Sequence, residues 1–252
     1  VRSRSLPRSL SFGAAIVGLS VVFSPACTSP SGEGSVYGAI DSLPCWQGAF
    51  DLQPDFFGTA PYRKSVLYRM QRSSDNQTFS DGVSLVVEDT EKVMASLDKP
   101  IAVTLPPEVT APGVPIKPEV DTGVHLSLYL QKTCKTQTVT LHAVREVTFD
   151  ASTGPSCDAV DPPETTVDPA CTSPLPGPRG DGKSRIVFHS IFEGDTATLD
   201  SEPRRTSGCF DVYLADPREV DPLTLAPPRC RGHLRGTFDF LYRRSRPSQQ
   251  FP

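Results

Sequence analysis

The sequence predicts an all-β fold: an antiparallel β-sandwich with long Pro-rich loops, braced by disulfides. Three observations lead there. Short apolar stretches alternate with polar residues at a period of two, as in a sheet with one buried face. The chain carries 26 Pro and 18 Gly among 252 residues, which disfavours a helical bundle because Pro breaks helix interiors and Gly weakens them. It also holds seven cysteines, more than a chain in a reducing compartment would need for structure. No apolar run approaches the roughly 20 residues that a helix needs to span a bilayer, so a multi-span membrane protein is excluded.

The elements follow in order. Trp46, Gly48, Phe50 and Leu52 alternate with more polar neighbours. Ser65–Gln71 and Val83–Glu88 are short β-type runs, and Thr90–Leu97 is the one helix candidate. Val124, Leu126, Leu128 and Leu130 share one face of a strand, with His125, Ser127 and Tyr129 on the other. Thr136–Phe149 is the longest run, with Val139, Leu141, Ala143, Val147 and Phe149 opposing Thr138, Thr140, His142, Glu146 and Thr148. Further strands are expected at Arg185–Phe192, Cys209–Leu214 and His233–Tyr242; in the last, Leu234, Phe238, Phe240 and Tyr242 oppose Arg235, Thr237, Asp239 and Arg243. Pro106–Asp121 reads as a loop or a crossing between sheets, and Ser152–Gly182, rich in Pro, Asp, Gly and Ser, as a long loop that needs tying down. Roughly nine short strands with proline-rich turns make one domain over residues 36–252.

Cysteine parity carries the next step. Cys27 stands apart near the N-terminus; Cys45, Cys134, Cys157, Cys171, Cys209 and Cys230 are the disulfide candidates. Six cysteines allow fifteen pairings. Locality favours Cys157–Cys171 and Cys209–Cys230, and exhaustion leaves Cys45–Cys134. An unstrained cross-link over so long a loop is worth about 4 kcal/mol in the chain-entropy model.

The N-terminus reads as an export signal over residues 1–26. Arg2, Arg4 and Arg8 form a charged start, Phe12–Phe23 is an apolar run of 12 residues, and Ser24-Pro25-Ala26 is a small-residue end. With Cys27, this end resembles the lipobox of bacterial lipoproteins, Ala26 matching the small residue before the cysteine. The family pattern has Leu and a small residue in the two positions before Ala26, where this chain has Ser24 and Pro25. The resemblance covers residues 1–27 alone. It implies cleavage before Cys27, a diacylglycerol on its sulfur and an acylated amine. Ordinary signal cleavage after Ala26 is the alternative. Residues 27–35 are then a lipidated cysteine and a flexible tether. Thr28, in place of the Asp that retains such proteins at the inner membrane, points by that resemblance to the outer membrane.

Without residues 1–26 the chain has 22 basic residues against 29 acidic, a net charge of −7. That balance gives no electrostatic reason to bind nucleic acid. The expected partners are a membrane through the lipid anchor and an envelope protein or glycan, with no nucleic acid and no nucleotide.

Several strings resemble chemistry. Gly177–Ser184 satisfies the P-loop pattern, but that loop needs a helix after it to cradle phosphate, and Ile186–Phe192 reads as strand. Arg179-Gly180-Asp181 is turn chemistry. His125, His142 and His189 lie on polar strand faces and would need to converge to hold a metal; no local ligand spacing supports that, so no metal and no other cofactor is expected. Glu88/Asp89 and Glu146/Asp150 are the nearest to paired carboxylates, and Asp158, Asp161, Glu164 and Asp168 form an acidic loop without EF-hand spacing. Asn76–Thr78 fits a glycosylation sequon. No G-x-S-x-G occurs, and no catalytic residue is assigned. Trp46, next to Cys45, is expected to pack on a disulfide rather than to bind a ligand. The expectation is a non-enzymatic structural or binding module anchored at Cys27. The alternatives are a hydrolase with catalytic residues scattered in sequence, or a carbohydrate- or peptide-binding module. Titratable groups in contact would favour the hydrolase.

Overall fold

A computed structural model describes residues 32–42, 45–72, 80–106, 121–135, 139–150, 153–158, 170–171, 179–192, 204–221 and 226–242. Residues 1–31, which include the expected signal and Cys27, and most of the long loops lie outside them, as do Asp161, Glu164, Asp168 and Asn76.

The described residues form eleven strands, one short α-helix and two single-turn 3-10 helices. The strands are β1 (Gly32–Ser42), β2 (Trp46–Asp51), β3 (Phe56–Tyr62), β4 (Ser65–Arg72), β5 (Asp81–Val87), β6 (Ile101–Ala102), β7 (Val124–Leu130), β8 (Val139–Ala143), β9 (Arg185–Ser190), β10 (Arg204–Ala215) and β11 (Gly232–Tyr242). The helix α1 spans Thr90–Met94. Asp89 caps it by accepting from the amides of Glu91 and Lys92, at 3.1 and 3.4 Å.

All strand pairings are antiparallel, and the strands form one curled sheet in the order β2-β1-β11-β10-β8-β7-β5-β4-β3. The curl begins on β10. Its Ser207–Asp211 stretch pairs with β9, whereas Leu214 and Ala215 at its end pair with Ala143 and His142 of β8. The sheet therefore forks, and the β8-to-β3 half folds over the rest. One corner is marked by Gly32 of β1 against Phe57 of β3. The opposite end of β1 is joined, through Cys45, to Cys134 just beyond β7. β1 thus runs from β3 towards β7, so strands of the two halves cross rather than align. The all-β prediction holds; the two packed faces belong to one folded sheet.

Between the halves lies the main core. Val36 and Ile40 of β1 meet Val66, Tyr68 and Met70 of β4, Val83, Leu85 and Val87 of β5, and Leu126 and Leu128 of β7, with Phe210, Leu234, Phe238 and Phe240 facing them. Phe240 contacts Phe57 and Tyr68, with ring centroids 5.8 and 4.9 Å away. Tyr68 hides its hydroxyl there against Thr206 Oγ1 at 2.9 Å, and burial raises its pKa. Trp46 packs edge-on to Phe50, and both Trp46 and Cys45 lie against the core.

The disulfides correct two predicted pairings. Cys45–Cys134 is present, but Cys157 bonds Cys230 and Cys171 bonds Cys209. Cys209 lies opposite Thr237 on β11, seven residues from Cys230. At about 3.3 Å per residue, that places the two cysteines roughly 23 Å apart along the strand, far beyond disulfide reach. Cys157 and Cys171 instead fasten two points of the long loop separately to the outer face of the sheet. Two further expectations change. Among the described residues 139–149, the run is a strand over Val139–Ala143, followed by single bridges at Glu146 and Thr148. The tether expected over residues 27–35 is strand from Gly32, with Gly32–Ser35 paired to Thr237–Phe240.

Candidate functional site

Two polar clusters flank the core, one on the outer face of each half. In the β8-to-β3 half, side chains of odd-numbered residues on β7 and even-numbered residues on β8 point away from the core. Register then assembles a row across the sheet: Arg69 of β4 lies opposite Ser84 of β5, Ser84 opposite Ser127 of β7, and Ser127 opposite His142 of β8. All four are half-buried. Ser127 Oγ and His142 Nδ1 are hydrogen-bonded at 2.8 Å.

Beside this row, Tyr129 lies over Gly82, where any Cβ would collide with the phenol. Arg69 stacks on the other side of the ring, 4.5 Å from its centroid, and its Nε donates to the hydroxyl at 2.5 Å. Burial pushes the Tyr129 hydroxyl up to about 12, against the opposing pull of Arg69.

Two residues before Ser127 on the same face, His125 is only 2 % exposed. Its Nδ1 donates to the Thr104 carbonyl at 2.9 Å, and its Nε2 faces Glu88 Oε1 at 3.1 Å. Thr104 Oγ1 in turn donates to Asp121 Oδ1 at 3.1 Å. A hydrogen-bonded chain thus runs from Asp121 through Thr104 and His125 to Glu88, whose carboxylate reaches solvent.

The other cluster is buried on the outer face of β10 and β11. Asp211 and His233 are 2 % and 1 % exposed and bonded to each other through His233 Nε2. Arg235 Nε approaches the second carboxylate oxygen of Asp211 at 3.3 Å. Tyr213 stacks on His233, receives the edge of Phe149, and donates its hydroxyl to the Arg179 carbonyl. Burial raises the Tyr213 pKa, reinforced by the charges of Asp211 and Asp181. Arg179 bonds Asp158 at 2.7 Å and the Thr153 carbonyl at 3.2 Å. This network clamps the loop segments around Thr153–Asp158 and Arg179–Ser184 onto the sheet, next to Cys157–Cys230. His233 Nδ1 is buried and has no hydrogen-bond partner among the described residues.

The other predicted residues are dispersed into structural tasks. His189 pairs with Asp98 at 2.8 Å, and among the described residues no three ligating side chains gather at a metal-sized site. Asp89 caps α1, and Asp150 accepts from Thr153 Oγ1. Asp158 is the one member of the acidic loop that is described. In the P-loop-like string, the Lys183 backbone forms an isolated antiparallel bridge with Glu146, Ser184 Oγ accepts from the Tyr213 amide, and strand β9 begins at once, so no helix follows. Sequence reasoning placed Ser127 and His142 on polar faces but did not join them, and it overlooked the Asp211–His233 pair, which β10–β11 register makes near neighbours.

Six paired cysteines suit an exported protein, and among the described residues no helix is long and apolar enough to cross a membrane. Comparison of the chain with family models, curated proteins and solved structures finds no match.

Proposed function

We propose that this chain is an exported envelope protein, held to a membrane by lipid on Cys27, whose β domain serves as a structural or binding module. The observation that carries the reading is the pairing of all six cysteines other than Cys27. It supports an oxidising compartment, and it leaves Cys27 as the odd thiol, at the position that resembles a lipobox. Two or more fatty chains on one residue give stable anchoring, each buried methylene contributing about 0.8 kcal/mol.

The sheet starts close to that cysteine. Four residues separate Cys27 from Gly32, so the corner formed by Gly32 and Phe57 would sit within roughly 18 Å of the lipid at full extension. The opposite end of the β4–β5–β7 ladder, with the β3–β4 turn at Arg63-Lys64, α1 and the Glu88–His125 pair, is then directed away from the bilayer. Partners of an envelope module, whether protein or glycan, would meet that end first. An outer-membrane address follows only from Thr28 after the cysteine.

Metabolic labelling with palmitate tests the anchor. The wild-type chain should take up label and partition with membranes, and Cys27→Ala or globomycin should abolish both. An unlabelled chain with a mature N-terminus other than Cys27 would remove the anchor.

A further inference from the structure

We propose that Ser127 and His142 form a nucleophile–base pair able to accept an acyl group from a small ester. This goes beyond the anchored-module reading and does not depend on it. Among the described residues, two histidines meet a hydroxyl: Thr104 Oγ1 lies 3.4 Å from His125 Nδ1, but both are buried and that nitrogen donates to the Thr104 carbonyl, whereas Ser127 and His142 form a half-buried pair. His125 and His233 face carboxylates and are buried, and His189 faces Asp98. Ser127 and His142 are half-buried, face away from the core, and are held 2.8 Å apart by adjacent strands in fixed register. A nucleophile and a base on two rigid strands meet the first geometric requirement for acyl transfer.

Their surroundings fit the chemistry. Ser84 sits directly across from Ser127 on β5, and its hydroxyl makes no side-chain hydrogen bond among the described residues. As a cross-strand neighbour of Ser127, it is a donor for the carbonyl oxygen that would gather charge there. Arg69 follows on the next strand and adds positive potential to the same row.

The step balances as follows. Ser127 Oγ bonds to the ester carbonyl carbon while its proton passes to His142 Nδ1. The tetrahedral intermediate collapses, the carbon–oxygen bond to the alcohol breaks, and the departing alkoxide takes the proton from His142. The products are an acyl ester on Ser127 and a free alcohol. Water, deprotonated by the same imidazole, then releases the acid.

The test uses the full, oxidised chain with p-nitrophenyl acetate, and separately with a fluorophosphonate probe. Peptide mass spectrometry reads the label, and non-reducing maps confirm the three disulfides in every variant. The expected result is acetyl and phosphonyl groups on Ser127, formed about 100-fold faster or more than in His142→Gln, a variant that keeps a hydrogen-bonding partner for Ser127 but not a base. Ser127→Ala should lose the label, and Ser84→Ala should retain it at a reduced rate. No label on Ser127, label on another serine, or His142→Gln reacting as fast as the wild type would overturn the proposal. Because the readout is independent of Cys27, a negative result here leaves the anchor reading standing, and a failed palmitate experiment leaves this one standing.

Discussion

Tyr213 lies flat on His233, their ring centroids 4.2 Å apart and their planes 18° from parallel. The stack closes the top of the buried Asp211–His233 pair and links the sheet to the loop above it through the Tyr213 hydroxyl and Arg179. Asp211 is the hinge of this arrangement, since its two carboxylate oxygens meet His233 and Arg235.

Asp211→Ala should therefore be among the most damaging single substitutions outside the apolar core. It removes the carboxylate that meets both Arg235 and the buried imidazole of His233, and breaking a buried pair in this way costs about 3–5 kcal/mol. Urea denaturation with disulfides intact measures it. Lys64→Ala removes one partner of the exposed Lys64–Glu91 pair and should leave the midpoint nearly unchanged. Equal midpoints for the two variants would contradict the assignment of Asp211 as the centre of a buried network.

Acid should loosen the protein through two other carboxylates. Burial pushes the Asp181 carboxyl up, but the Lys183 amide and the Arg185 guanidinium outweigh it and hold the group below its ordinary value of 3.8. Asp216 is held low chiefly by Arg218, against a smaller opposing effect of burial. A carboxyl with a lower pKa folded than unfolded stabilises the protein above the unfolded value, and that contribution disappears as pH falls through the folded one. From about pH 4 downward, the wild type should lose stability more steeply than the double variant Asp181→Asn/Asp216→Asn. Parallel acid-denaturation curves would show that these carboxylates do not set the slope.

Gly82 tests the outer face. A Cβ there would lie 2.7 Å from the Met70 carbonyl oxygen and run into the Tyr129 phenol. The carbonyl belongs to the ladder and cannot move aside cheaply. Gly82→Ala should cost about 1–3 kcal/mol, and adding Tyr129→Ala should recover only part of it because the backbone collision remains. A silent Gly82→Ala would mean that Tyr129 and Arg69 do not pack across β5 as described.

Much of this fold was legible because the alternation is strong. The apolar face of β11 was readable from Leu234, Phe238 and Phe240, and β7 was bounded at Val124 and Leu130. β1 was hidden by its glycines, which look like a tether in the string GEGSVYG. They serve packing instead: a Cβ on Gly34 would crowd the Thr237 carbonyl and Met70 Sδ, and Gly38 has φ +152°. β3 was hidden by Pro61, which an interior strand would not tolerate; β3 ends the sheet order, where a missing amide costs no ladder bond. The disulfides misled for another reason. Sequence proximity ranks loop entropy, whereas the pairing is decided by which points of the sheet the long loop crosses. The Ser127–His142 contact depends on β7–β8 register, which two separate alternation patterns do not specify.

Non-reducing peptide mapping of the protein recovered from membranes tests the account most directly. It should yield Cys45 linked to Cys134, Cys157 to Cys230 and Cys171 to Cys209, with an acylated Cys27 as the first residue and no free thiol. A peptide joining Cys157 to Cys171, or unmodified thiols at these six positions, would contradict both the fold and the compartment assigned to it.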